Sequence, residues 1–384
     1  MEITEKFAAM IYLDYAATTP MWSEVIEEMT NGMKEYANPS AQYSCARKTR
    51  ALVDRARAEI AGLIRASRPG EIFFTSGGTE SDDWAVIGAA ESLPEDKRHI
   101  ITSAYEHHAV LESMKELEKK GFSVSYLMPK KDGTISPDSV KKELREDTGL
   151  ISIMLVNNET GALNDIGSIS QIAHERNVIV HTDAVQAVGH IMVDVRELGV
   201  DILSASAHKF GGPKGMGFLY VREGTMLHKL HFGGSQERGM RPGTENVNGI
   251  AGMAAAMRLS CSGYEEELTR LSGLRDMLIE GIKDSGLRYV LNSDPENSVP
   301  YILNVSFPGF RSSVTVVRAD MEGICISAGA ACSAGTVGES HVIKSMSRPK
   351  EVLSSAVRFS LGRQNTEKDM IRVAGFLKKL AASR

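Results

Sequence analysis

Cysteine is scarce in this chain. Four residues, Cys45, Cys261, Cys325 and Cys332, are spread over 384 positions with no C-x-x-C pair among them. That argues against a disulfide framework and against a metal site, so any role for them rests on individual reactivity. A long apolar run is also missing: no stretch is long enough to span a bilayer, and residues 1–10 carry Glu2, Glu5 and Lys6 where a signal peptide has its apolar core. The expectation is a cytoplasmic protein with no membrane partner. No basic run of the kind that follows a phosphate backbone occurs, and the net charge of -5 is spread over both signs, so nucleic acid is not an expected partner. Internal repeats and low-complexity segments are absent as well.

What is present is the balance of a soluble globular protein, 42% hydrophobic and 24% charged, on a chain long enough to suggest two domains. Seven short apolar runs lie between residues 71 and 222, at 71–75, 99–102, 123–128, 150–156, 178–181, 201–204 and 217–221. Each has strand length and β-branched content. Helical patterns separate several of them, such as Val110, Leu111, Met114 and Leu117, or Ile166, Ile169, Ile172 and Ala173. This alternation predicts an α/β fold, a mostly parallel sheet with helices on both faces. Before the sheet, Val53, Ala56, Ile60, Leu63 and Ile64 form the apolar stripe of a helix ending near Arg68-Pro69-Gly70. After Arg222 come loop-like glycine segments, an Ala-rich helix over about 247–259, a charged helix over 264–283 and strand-like runs at 301–307, 324–327 and 356–361. These predict a second, smaller α+β unit at the edge of the first.

Parallel sheets gather ligands at the carboxyl ends of their strands, so the polar clusters are read in the turns. Ser76-Gly77-Gly78-Thr79-Glu80-Ser81 follows a strand and opens a helix, where freed backbone N–H groups suit a phosphate, although a plain capped turn would look the same. The run 178–186 ends a buried strand on Asp183. A buried carboxylate needs a partner to stay ionised, and either a protonated pyridine nitrogen or a structural ion pair would serve. In Ser204-Ala205-Ser206-Ala207-His208-Lys209-Phe210-Gly211-Gly212-Pro213-Lys214-Gly215, a lysine stands just past a strand end, between hydroxyls and a glycine-rich turn. That placement suits Schiff-base chemistry, because burial lowers the amine pKa and phosphate donors lie nearby.

Ser206-Ala207-His208-Lys209 with Gly211-Gly212-Pro213-Lys214-Gly215 resembles the cofactor-lysine motif of the NifS/IscS-type cysteine desulfurases, pyridoxal 5'-phosphate (PLP) enzymes of the class V aminotransferase-like fold. The resemblance runs from Ile11-Tyr12-Leu13-Asp14-Tyr15-Ala16-Ala17-Thr18-Thr19-Pro20 to about Leu380. It includes Asn38-Pro39-Ser40, Glu106-His107-His108-Ala109-Val110, Val156-Asn157-Asn158-Glu159-Thr160-Gly161, Asp183-Ala184-Val185-Gln186, Glu237-Arg238-Gly239-Met240-Arg241-Pro242-Gly243-Thr244 and Arg358-Phe359-Ser360-Leu361-Gly362-Arg363. It implies a fold type I PLP-dependent transferase, with a large cofactor-binding domain over 16–260. A small domain over 1–15 and 261–384 would carry the catalytic cysteine loop. By the same resemblance Lys209 binds the cofactor, His107 stacks on its ring and His108 is a solvent-facing neighbour. Asp183 pairs with the ring nitrogen, Asn158 and Gln186 contact the ring oxygen, and Thr79, Ser206, His208 and the backbone of Gly78 hold the phosphate. Thr244 matches a position that reaches the phosphate of the neighbouring subunit, which implies a homodimer. Asn38 and Arg358 match the residues that grip the substrate carboxylate, a task for which a guanidinium fork is well shaped.

The segment Ser327-Ala328-Gly329-Ala330-Ala331-Cys332-Ser333-Ala334-Gly335 is small and flexible in composition and matches the family's catalytic cysteine segment. Relatives often carry serine and glycine where this chain has Ala328 and Ala330-Ala331. Cys45, Cys261 and Cys325 read as buried or incidental. The implied reaction takes sulfur from L-cysteine onto Cys332 as a persulfide and releases L-alanine, for iron–sulfur clusters or thio-modification. The chain stops at Arg384, short of the tail by which housekeeping members dock an iron–sulfur scaffold, so the sulfur-acceptor protein stays open between a scaffold and a sulfur carrier. Three rival readings remain. A class V aminotransferase would use Lys209 and Arg358 without needing Cys332, a selenocysteine lyase would share the chemistry, and a silent scaffold would need none of Lys209, Asp183 and His107.

Overall fold

The computed structural model describes residues 10–329 and 339–383. A short strand β1 (Ile11–Tyr12) precedes the main sheet of β2 (Ile72–Thr75), β3 (His99–Ser103), β4 (Ser123–Leu127), β5 (Thr148–Ser152), β6 (Ile179–Asp183), β7 (Ile202–Ser206) and β8 (Gly217–Val221). Their order across the sheet is β2-β8-β7-β6-β5-β3-β4. Only β8 runs antiparallel to its neighbours, β2 and β7; the other four pairs are parallel. The expected seven-stranded, mostly parallel α/β sheet is what the chain forms. The largest displacement is at β5, which ends at Ser152 rather than at Val156. The next residues leave the β3 side and follow β6 alone, Ile153 N donating to His181 O and Leu155 N to Asp183 O.

Every residue of β2, β3, β5, β7 and β8 is buried, as strands of a sheet covered on both faces are. The helix Gly78–Ala90 sits on one face, with Trp84, Ala85, Val86 and Ala89 packed among Ile100, Val110, Met114, Leu150, Ile202 and Leu219. The charged run forms the helix Tyr264–Lys283, and the Ala-rich run forms Val247–Cys261. Beyond them β9 (Val290–Leu291), β10 (Ile302–Ser306), β12 (Ser327–Ala328) and β13 (Ala356–Ser360) make a second, antiparallel sheet in the order β12-β13-β10-β9. Between these in sequence, β11 (Ile324–Cys325) pairs in parallel with β1. The start of the chain is thereby tied to a strand more than 300 residues later.

Candidate active site

Four turns at the carboxyl ends of β2, β5, β6 and β7 and the entry to the helix after β3 bring the chemistry together. The helix Gly78–Ala90 begins directly after β2, so its first backbone N–H groups have no intrahelical acceptor and offer a cradle for an anion. Close approach requires glycine at the start: a Cβ on Gly78 would stand 2.9 Å from Val185 Cγ2. β7 ends at Ser206 and passes through a 3-10 turn, Ala207–Lys209. Gly211, at φ +83°, then bends the chain away beneath Trp22, whose ring leaves no room for a side chain there.

Lys209 Nζ donates to Ala16 O (2.6 Å) and Ala17 O (3.0 Å). Gln186 Nε2 donates to the same Ala16 carbonyl at 2.9 Å. Asp183, the last residue of β6, is buried, and its Oδ1 accepts from Val185 N at 2.8 Å. Burial raises its pKa to about 6, against the pull of the Val185 N–H and of Lys209. Asp82 lies beside it, fully buried, with Oδ1 lacking a hydrogen-bond partner and 3.7 Å from His181 Nε2. Burial, and next the charge of Asp183, push Asp82 well above the usual carboxylate range. Each charge of the pair raises the cost of the other, and Asp183 keeps the Val185 N–H and the Lys209 ammonium to support its own.

His107 caps the helix His108–Lys119, its Nδ1 accepting from Ala109 N at 3.2 Å. With Nδ1 an acceptor, the neutral ring carries its proton on Nε2. Burial and then the Lys209 charge lower its pKa to about 4, and the same two causes bring His208 to about 4. Both rings are neutral at physiological pH. Arg358, from β13, is 4% exposed at its side chain; Nη2 donates to Asp14 Oδ1 (2.7 Å) and Nη1 to Asn158 O (2.8 Å). Its Nε is buried without a partner, as is Asn158 Oδ1.

Ten of the residues singled out in the sequence, Gly78 backbone included, line one cavity of about 460 Å³: Gly78, Thr79, His107, Asn158, Asp183, Gln186, Ser206, His208, Lys209 and Arg358. Two do not. Asn38 is exposed with its Oδ1 turned back to Ser40 N, and Thr244 is exposed. Cys332 lies outside the described residues. Cys45, Cys261 and Cys325 are half-buried and none lines the cavity; burial raises the Cys261 thiol to about 11 and the Cys325 thiol as well. His108 is exposed, with its ring 4.6 Å from that of His341. No group of side chains suited to a metal ion is found among the described residues.

Sequence reasoning missed Asp82, Asp14 and the Ala16 and Ala17 carbonyls. Asp82 was within reach, since Ala85, Val86 and Ala89 put it on the buried face of its helix. Asp14 stands two residues past β1 in an isolated bridge to Ser360, with no local pattern to mark it.

Residues 11–373 match the model of the aminotransferase class-V family, and the chain belongs to that family. It is 47% identical over 361 residues to the cysteine desulfurase IscS of Dictyoglomus turgidum, covering 94% of this chain and 91% of that one. Among solved structures, a NifS-like protein superposes with a TM-score of 0.92 at 36% identity, covering 98% of this chain and 100% of that chain. A structure of SspA in complex with cysteine superposes with a TM-score of 0.81 at 35% identity, over 91% and 98% of the two chains. The protein is thus a PLP-dependent enzyme. The cavity fits that cofactor on its own terms: an amine for its aldehyde, a buried carboxylate for its ring nitrogen, an unpartnered buried amide oxygen and an N–H cradle for its phosphate.

Proposed function

We infer that the protein is a cysteine desulfurase, transferring sulfur from L-cysteine to its own Cys332 and releasing L-alanine. The observation that carries the reading is the convergence of Lys209, Asp183 and Arg358 on one cavity. In that arrangement Lys209, Asp183 and the phosphate donors Thr79, Ser206, His208 and Gly78 hold PLP, while Asn158, Gln186 and His107 border its ring. When bound, PLP draws electrons away from the substrate Cα, which acidifies the Cα proton and weakens the Cβ–S bond.

The chain's own groups do the rest. Arg358 receives the substrate carboxylate, with its unpartnered Nε as the open donor. Lys209, its amine set beside the Ala16 and Ala17 carbonyls, would be the base that takes the Cα proton. Neutral His107, with its proton on Nε2, moves protons without adding charge to the cavity. The thiolate of Cys332 attacks the substrate sulfur; an S–S bond forms, the Cβ–S bond breaks and Cβ takes a proton, and the proton held by Lys209 returns to Cα to give alanine. A free thiol has a pKa of about 8.5, so thiolate is available near neutrality.

Thr244, exposed and away from its own cavity, supports a homodimer in which it reaches the partner's phosphate site. An iron–sulfur scaffold or sulfur-carrier protein accepts the persulfide, and the reaction runs in the cytoplasm. No helix among the described residues is long and apolar enough to cross a membrane. The two units are a large cofactor-binding domain over 16–260 and a small one formed by 1–15 and 261–384.

The test is to supply purified protein with cysteine and a thiol reductant, without any keto acid, and to measure alanine and sulfide. Formation of both in equal amounts supports desulfuration. Turnover only when a keto acid is added would make the protein an aminotransferase instead.

A further inference from the structure

Glu159 is a buried carboxylate that the reaction above does not use, and its position is closely determined. It is 2% exposed, in the turn that follows β5. Asn157 fixes that turn, its Oδ1 accepting from Glu159 N and Thr160 N, each at 2.9 Å. One residue away, the Asn158 carbonyl accepts from Arg358 Nη1 at 2.8 Å. The backbone that carries Glu159 therefore also braces the guanidinium assigned to the substrate carboxylate.

The carboxylate itself faces the other way, toward the described residues on either side of 330–338. Glu159 Oε2 accepts from Ser340 Oγ at 2.6 Å, and Ser340 Oγ in turn accepts from Ile343 N at 3.1 Å. A Cβ on Gly329 would lie 2.3 Å from the same Oε2, so glycine alone lets the strand end pass so close to it. Gly329 directly follows β12, whose Ser327 stands opposite Arg358 in the sheet. Next to Ser340, the His341 ring pairs with Glu106 O at 3.0 Å and so returns to the turn bearing His107. Burial raises the Glu159 pKa to about 7, opposed by the Ser340 hydroxyl and by Arg358.

We propose that Glu159 is a positioning residue for sulfur transfer, which ties Ser340 by a hydrogen bond, and the end of β12 at Gly329 by close packing, to the turn that braces Arg358. The proposal rests on the desulfurase reading of the same site. It predicts a defect confined to one step, since Glu159 touches neither the cofactor cavity nor the substrate.

Four variants of the cofactor-loaded enzyme test it: Glu159→Ala, Ser340→Ala, the two combined, and Glu159→Gln. In a single turnover with cysteine, Glu159→Ala and Ser340→Ala should each slow the appearance of the extra sulfur on the Cys332 peptide by roughly tenfold or more, the scale of a small misplacement of reacting groups. The visible absorbance change on adding cysteine should occur at wild-type cysteine concentrations. Combining the two substitutions should add little, because both break one contact. Glu159→Gln keeps an oxygen for Ser340 and should transfer sulfur within about threefold of the wild type. Wild-type transfer rates in both alanine variants, additive effects, or loss of the absorbance response together with transfer would each overturn the proposal. A wild-type protein that forms no persulfide would overturn the desulfurase reading along with it. A wild type that does, matched by its variants, overturns only the role of Glu159.

Discussion

The ammonium of Lys209 points at the carbonyl of Ala16, 2.6 Å away. The segment just after β1 thereby holds the amine in the lining of the cavity. Lys214, the other lysine of the motif, lies beyond the Gly211 bend and borders the neighbouring phosphate cradle instead. Lys209→Ala should therefore abolish turnover and the visible absorbance of lysine-bound cofactor. A variant that keeps both normal colour and activity would remove Lys209 from its role.

Asp183 is assigned to the ring nitrogen, and Thr79, Ser206, His208 and Gly78 to the phosphate, so binding and chemistry separate in Asp183→Asn. The variant should retain PLP, measured as cofactor released on denaturation, while kcat falls by on the order of 100-fold, the usual scale for removing one preorganised charge. Loss of the cofactor itself would point to a structural aspartate.

Arg358→Lys keeps the charge but not the fork. A hydrogen bond to a charged partner is worth about 1.5–3 kcal/mol, so kcat/KM for cysteine should fall roughly 10- to 100-fold. The loss should fall mostly on KM. Steady-state kinetics at saturating and limiting cysteine separate the two, and an unchanged KM would mean that another group receives the carboxylate.

In Cys332→Ser the cofactor, Lys209 and Arg358 are untouched. Cysteine should still change the visible spectrum, yet almost no alanine should form, because a hydroxyl is a poor nucleophile toward sulfur. In the wild type, mass spectrometry should find the added sulfur on the peptide containing Cys332. Sulfur on Cys45, Cys261 or Cys325 would defeat the mechanism.

Glu106 makes a stability prediction with a definite sign. It is fully buried, accepting from Met154 N and from Ser103 Oγ, and burial raises its pKa to about 8. An unfolded glutamate titrates near 4.3. Between those values the folded state binds more protons than the unfolded one, so this contribution to stability falls as pH rises through that window. Urea denaturation of Glu106→Gln at pH 5 and pH 8 should show a smaller loss of stability with rising pH than the wild type shows. An equal or larger loss in the variant would mean that Glu106 is ionised throughout.

Much of the fold was legible because its signals are local. The seven main-sheet runs are short, β-branched and punctuated by helical stretches, and the charged run 264–283 coincides with the helix Tyr264–Lys283. The pairing of β1 with β11 was not legible, since two-residue strands carry no periodicity and only the tertiary structure brings them together. The same holds for Asp14, whose link to Arg358 crosses almost the whole chain. Asp82 hid for another reason: next to Asp83, it reads as an ordinary acid in a helix's early turns, and only burial of its face distinguishes it. Asn38 and Thr244, singled out from their motifs, stand exposed and apart from the cavity, which nothing in their local sequence signals.

The Asp14–Arg358 contact joins residues 344 positions apart. At about 5–20 residues per second of synthesis, the interval between them is on the order of tens of seconds. Once residue 209 has been made, and for the rest of that interval, the growing chain owns Lys209 and Asp183 but has no guanidinium for a substrate carboxylate. The order of translation itself keeps sulfur chemistry from starting on a polypeptide that is still being made.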